Sequence, residues 1–279
     1  MSVQEFALAA EVAARRRWGA TAALLALVAL LLVISLGIGP VRLSPLAVIE
    51  ALFGGGSDVA QVIVREIRLP RTILAFAIGG ILGLSGAALQ GLLRNPLASP
   101  DIIGISRGAS AAAVFGIVVL GIDGPMLSVL AVLAALGVAV MIHGLSHRGG
   151  VSGTRLILVG IGVSAMLESF IAYTLSRAPS WDLIEAMRWL TGSVNGAQLS
   201  QALPLLVSLA VFGGLLVSRA RDLESLRLGD DTAAALGTNV ARTRLLVIVA
   251  AVGLIAVATA VTGPVAFVAF LAGPIAARI

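Results

Sequence analysis

The chain has 279 residues, of which 59% are apolar and 12% charged, with a formal net charge of +5. A soluble domain carries roughly 25% charged residues and has no means of hiding this much apolar surface behind so few, so a soluble enzyme and a disordered chain are both excluded. The absence of cysteine removes disulfides, thiolate catalysis and sulfur-ligated metal, and the thinly spread basic charge fits membrane topology better than nucleic acid.

A membrane-spanning helix needs about 20 mostly apolar residues. The pattern predicts an all-α polytopic membrane protein with about seven to eight transmembrane helices. Residues 1–17 read as a cytoplasmic tail ending in Arg15, Arg16 and Arg17, and residues 18–279 as one transmembrane domain. The first uncharged run, 18–41, is too long for a secretory signal. Further spans are expected at 72–93 and at 108–122, the latter extending back through 102–106 if Arg107 is tolerated. Others follow at 124–142, 156–176, about 199–218 and 245–261. Gly263-Pro264 and Gly273-Pro274 mark breaks, with an eighth element starting between them. The chain stops at Ile279 inside an apolar stretch and is expected to be a fragment.

With the N-terminus inside, cytoplasmic segments hold Arg94, Arg107, Arg148, Arg155, Arg219, Arg221, Arg227, Arg242 and Arg244 besides the first three. External segments hold only Arg42, Arg65, Arg68, Arg71, Arg177 and Arg188, the bias expected of the positive-inside rule. Three connecting segments carry patterns of their own. Residues 39–71 contain a Ser44-Pro45 helix start and a triple-glycine break at 54–56. Residues 176–196, with Trp181 and Trp189, suit a short interfacial helix. Residues 219–244 suit one or two amphipathic helices capped by Gly237.

Six stretches in order carry a resemblance: Arg68-Leu69-Pro70-Arg71, Ser85-Gly86-Ala87-Ala88-Leu89-Gln90-Gly91, Arg94-Asn95-Pro96-Leu97-Ala98-Ser99-Pro100-Asp101, Trp189-Leu190-Thr191-Gly192-Ser193, the run 228–237, and Gly263-Pro264-Val265-Ala266-Phe267-Val268. The chain resembles the permease family of bacterial ABC importers for iron–siderophore complexes, haem and cobalamin. The resemblance implies a ten-helix subunit, so that two or three helices would be missing here. It implies a homo- or heterodimer with a second permease subunit around a central pathway, two ATP-hydrolysing subunits inside, and an extracytoplasmic substrate-binding protein outside. No cofactor is implied, and the polypeptide itself would catalyse nothing.

By the same resemblance, Arg68 and Arg71, with Arg65 widening the patch, would receive acidic side chains of the binding protein; the alternative is that they snorkel to headgroups. Asn95 and Leu97 would narrow the inner end of the pathway together with Ser152, Gly153 and Thr154; the alternative is a simple capped turn. Gly229, Asp230, Asp231, Ala234, Leu236 and Gly237 would form the helix that rests on the ATPase; the alternative is a solvated helix. Arg107 departs from the family pattern and is expected near the inner water boundary rather than paired with Glu168. His143 and His147 stand four apart without a third ligand, and a metal site is rejected. The Ala272-Gly273-Pro274-Ile275-Ala276 ending leans toward ferric siderophores as cargo. The competing reading is a secondary transporter or channel driven by an ion gradient, which would have no use for an ATPase-docking loop.

Overall fold

The computed structural model describes residues 3–99, 104–146 and 153–279. Every regular element among them is helical. Six helices are long and apolar enough to cross a membrane. They are α1 (Val3–Gly37, apolar from Trp18), α3 (Asp58–Leu93), α5 (Gly124–Ser146), α6 (Gly153–Ser176), α8 (Leu199–Ser218) and α11 (Val240–Thr262). Between them lie α2 (Pro45–Leu52), α4 (Ile105–Val118), α7 (Ser180–Thr191), α9 (Ala220–Arg227) and α10 (Asp230–Ala235), and α12 (Val268–Ala276) follows α11. The order matches the expected spans, with two differences of physical interest.

The first is α3. Residues 59–67 were expected within the external segment 39–71, interrupted by Arg65 and Glu66. In the structure they continue into the next span as one 36-residue helix, about 54 Å long and so far longer than the hydrocarbon is thick. The Ser57 hydroxyl accepts from Ala60 N at 3.3 Å and caps its start. The stretch Val62–Arg68 is π-helical.

The second is α4. It has 14 residues where a full span was expected, giving a rise of about 21 Å against roughly 30 Å of hydrocarbon. It starts at Gly104, whose φ of +88° lies in the left-handed region. That glycine rests against the Gly160 carbonyl, 3.3 Å from where a Cβ would stand, and against the Ser164 hydroxyl at 2.6 Å. Both belong to the middle of α6, so α4 begins part-way along its neighbour.

The chain divides into two compact units. One comprises Met1–Ile73, Gly196–Gln198 and Ile275–Ile279. Its core is Leu36, Val48, Ala51, Ala60 and Val64, where α1, α2 and the start of α3 meet. The Ser35 and Thr72 hydroxyls bond at 3.1 Å. The other unit comprises Leu74–Asn195 and Leu199–Pro274. Its core runs through Leu89, Ile105, Ala109, Ala131, Ala135, Ile142, Ala251 and Ile255, joining α3, α4, α5 and α11. Small residues set how closely these helices approach, as expected where lipid supplies no hydrophobic drive. Gly108 faces Val138 and the Ala134 carbonyl, Gly116 faces Leu127, and Gly253 lies under the Phe212 ring.

The tightest approach is at Gly86 of α3, where a Cβ would overlap the Ala269 carbonyl of α12. Gly79, on the same helix, has nothing within 4 Å of such a Cβ. We expect Gly86→Ala to lower the melting temperature of the detergent-purified protein clearly, and Gly79→Ala to leave it within a degree or so, since backbone cannot yield as a side chain can. Equal melting of the two variants would contradict the packing described.

Candidate functional site

Residues 219–244 fold as expected into two short helices. The junction Leu228-Gly229 turns sharply, with Gly229 at φ +117°, and Gly237 at φ +86° follows α10. Leu226 and Ala233 are buried against the unit. Leu228 and Leu236 are 67% and 63% exposed, and Asp231, Ala234 and Gly237 are exposed beside them. Asp230 faces the other way. Its carboxylate takes Arg244 Nη2 at 2.9 Å and pairs with Arg94 Nη2. Of the acids expected to meet the ATPase, Asp231 is therefore offered outward, and Asp230 fastens α10 to the end of α3 and the start of α11. Asp222 does the same for α9, accepting from Arg219 and from the Thr243 hydroxyl, each at 3.3 Å.

Arg94 also ends α3. It adopts φ +51°, a conformation that costs a non-glycine residue about 1 kcal/mol. Its N–H donates to Gly91 O at 3.3 Å, and Asn95 N donates to Gln90 O at 3.1 Å, the paired closure of a Schellman turn. The Arg94 Nε donates to Leu226 O at 2.7 Å, so its side chain steadies the strained backbone. Asn95 Oδ1 accepts from Leu97 N at 2.9 Å, leaving Leu97 62% exposed. Asn95 and Leu97 thus do form a capped turn that presents an apolar side chain. Ser152 lies outside the described residues. Gly153 and Thr154 open α6.

Gln90 is buried at 8% exposure. Its Nε2 donates to Pro96 O at 3.0 Å and to Phe270 O at 2.9 Å, joining the turn after α3 to α12. Gly273 lies against its Oε1, where a side chain would not fit. A second junction joins the residues after α7 and α11. Gly192 and Gly263 both have positive φ, each with the space for a Cβ taken by the other's strand of backbone, and Ser193 N donates to Thr262 O at 2.7 Å. The motif residues 85–91, 94–99, 189–193, 228–237 and 263–268 are therefore one another's neighbours or are joined through a shared element.

Between these junctions lies a cavity of about 400 Å³, bordered by Ser106, Arg107 and Ser110 of α4, Thr191, Phe267 and Phe270. Arg107 Nη2 lies 3.3 Å from Glu168 Oε2. Of the two readings of Arg107, the structure forms the pair with Glu168. Because α4 starts at mid-α6, its first turn comes level with Glu168, and the pair forms.

In the other unit, Arg65 and Arg71 are exposed and Arg68 is not. Arg68 is 8% exposed. Its Nη1 donates to Leu36 O at 2.8 Å, and its Nη2 to Val41 O. Leu36 O is among the last carbonyls of α1, which lack an intrahelical partner. Gly39 provides the space, since a Cβ there would meet the guanidinium. Arg68 was expected at the surface as a docking residue; the structure instead places it as an internal cap, because an orphaned carbonyl near hydrocarbon needs a donor more than a headgroup does.

Residues 27–279 match the model of the FecCD transport family. The chain belongs to that family. It is 40% identical to the ferric enterobactin transport system permease protein FepG of Escherichia coli K12, over 86% of this chain and 73% of that one. It is also 40% identical to the achromobactin transport system permease protein CbrC of Dickeya dadantii 3937, over 91% and 74%. Its fold matches a solved ABC transporter of assigned metal-chelate type in an inward-facing conformation, with a TM-score of 0.80, 28% identity, and coverage of 92% and 79%. The chain is thus a multi-pass membrane permease subunit of an ATP-driven importer, and it is not an enzyme. This membership decides against the gradient-driven carrier.

For this permease, Asp230 and Asp231 should behave differently although adjacent. Asp230→Asn is expected to speed amide hydrogen exchange across residues 220–237 at least about tenfold, since local opening follows the loss of anchoring contacts. Asp231→Asn should leave exchange unchanged. Similar protection in both variants would remove the anchoring role from Asp230.

Proposed function

We propose that this permease imports ferric siderophores across the bacterial plasma membrane, with its N-terminus in the cytoplasm. The arginine bias between alternate connections supports the orientation, and the names of the ferric-complex permeases it resembles support the cargo. A second permease subunit would complete the passage. A binding protein outside would select and deliver the chelate, and ATPase subunits inside would drive the change of access.

One observation carries the inner contact: Leu228, Ala234 and Leu236 are exposed apolar residues on two short helices that Asp222, Leu226, Asp230 and Ala233 anchor from the other side. An apolar surface on a polar, charge-rich segment is what a partner groove covers. Ala234 stays small so that the partner backbone approaches, Leu236 fills a pocket, and Asp231 supplies a rim charge. Movement of the ATPase would then reach α3 and α11 through the Asp230 pairs.

At the outer face, Arg65 and Arg71 remain as candidate partners for carboxylates of the binding protein, with Arg68 supporting the backbone behind them. At the inner face, Asn95 and Leu97 would narrow the passage together with Ser152, Gly153 and Thr154.

Replacing Leu236 with Asp should bury an unpaired charge against the ATPase and reduce uptake by about tenfold or more, with stimulation of ATP hydrolysis by the loaded binding protein lost in parallel. Normal transport by this variant would sink the coupling assignment. The double replacement Arg65→Glu, Arg71→Glu should weaken binding-protein association several-fold at low salt without altering thermal stability. Arg68→Glu should instead lower stability, because it removes charged hydrogen bonds worth about 2 kcal/mol and adds a buried anion beside carbonyls. A stable Arg68→Glu protein that merely fails to dock would restore Arg68 to the docking set.

A further inference from the structure

Arg107 and Glu168 have side chains 43% and 60% exposed, yet they lie within the membrane-spanning part of the fold. Glu168 stands on α6 about 12 Å before its end at Ser176. Charges at such a position are expensive against lipid and are found where they meet water or a bundle interior. The polar groups nearby converge on the same space. Ser106 and Ser110 flank Arg107 on α4, and Thr191 and the Phe267 ring close the other side of the 400 Å³ cavity. Phe267 holds a positive φ of 67°, a strained conformation that keeps its ring 68% exposed. Elsewhere on α6 the Ser164 and Ser169 hydroxyls donate to their own helix at 2.7 and 2.9 Å, so neither asks for a partner there. The exposed face of α5 differs in kind: Val129, Leu133, Leu136 and Val140 are all apolar, as lipid contact requires.

We infer that Arg107, oriented by Glu168, is a cargo-contacting cation on the wall of the translocation passage, and that its cavity is a transient station for an oxygen-rich, anionic metal chelate. This rests on the ferric-chelate reading of the cargo. The guanidinium offers planar donors to carboxylate or catecholate oxygens, the Ser106 and Ser110 hydroxyls stand beside it, and Phe267 offers a face to a ligand ring. Glu168 has a second effect besides orientation. A lone cation in this setting would hold an anionic chelate too long, whereas a passage needs sites weak enough to release. The carboxylate keeps the net charge of the station near zero, so that the chelate borrows the arginine and leaves again.

The chain contains no cysteine, so single cysteines report water access cleanly. In the assembled transporter in proteoliposomes, Ala165→Cys, exposed one turn before Glu168, should react with a membrane-impermeant cationic thiol reagent at least about tenfold faster than Leu133→Cys on α5, because lipid excludes the reagent. Equal rates would overturn the inference. In the second arm, uptake of a ferric tris-catecholate is measured together with ATP hydrolysis. Arg107→Gln should cut the iron moved per ATP at least about fivefold while hydrolysis continues, and Arg107→Lys should recover part of it. Exchanging the charges, Arg107→Glu with Glu168→Arg, should not restore uptake. Restoration by the exchange would make the pair a strut between α4 and α6 and overturn the cargo contact, as would unchanged uptake in Arg107→Gln. Labelling needs no cargo. A wild-type transporter that hydrolyses ATP but moves neither a ferric tris-catecholate nor a ferric tris-hydroxamate would therefore sink the cargo reading while leaving the labelling result to judge the passage wall.

Discussion

Hydrocarbon offers no water to a broken helix, so each interruption of the backbone needs its own internal donor or acceptor. Gln90 meets this need at two interruptions together, through its bonds to Pro96 O and Phe270 O. Removing that amide would leave two carbonyls without their donor, beside helices that Gly86 brings into backbone contact. The glycines let α3 and α12 come close, and the amide makes the closeness affordable in polar terms. Arg94 follows directly, since the turn that Gln90 holds is the one Arg94 starts. Arg94 in turn fixes Leu226 and Asp230, and with them the exposed patch at Leu236.

The spans were legible because runs of apolar residues at bilayer length have few competing readings. The boundaries of α5, α8 and α11 fall within a few residues of the expected ones for this reason. The two short helices at 220–235 were legible from Leu226 and Ala233 recurring among charges, with Gly229 and Gly237 as punctuation. The motifs behind the family resemblance proved to be packing and hydrogen-bonding partners. A string alone does not announce that the Pro264 and Trp189 carbonyls fill the Cβ space of Gly192 and Gly263, or that Gln90 reaches Phe270 across 180 positions in sequence.

The rest was illegible for identifiable reasons. Arg68 read as a surface cation because its partners are carbonyls, which carry no sequence signature; Gly39 was the available hint, a residue without a side chain at the spot the guanidinium fills. The Arg107–Glu168 pair was set aside because helix depth was counted from loop positions. Depth depends on where α4 starts, and α4 starts against the middle of α6. Residues 58–68 read as a loop because three charges outweighed Val59, Val62, Ile63 and Val64, although Ser57-Asp58 gave a capping signal at the start. For Arg68 and Arg107 the groups that pair with the guanidinium lie far away in sequence, on α1 and α6.

The contacts in the larger unit form an unbroken path from the coupling patch to the cavity. Leu236 follows α10, α10 is tied through Asp230 to Arg94, and the turn after Arg94 is tied through Gln90 to Phe270, which borders the cavity with Arg107. A path of contacts is not by itself coupling, which requires an element with two arrangements that both ends bias. The turn at residues 94–98 has the properties such an element needs. It is short, it contains a strained non-glycine residue at its start, and it is tied to the Gln90 side chain of α3, the Leu226 carbonyl of α9 and the Asp230 carboxylate of α10. A shift of α10 by the partner ATPase would pull on Arg94 first, and the strain stored at its backbone would lower the cost of letting the turn re-form elsewhere. The exposed Leu97 rides on that turn, so on the proposed docking of the ATPase at α10 the residue proposed to narrow the passage would also be the one moved most directly.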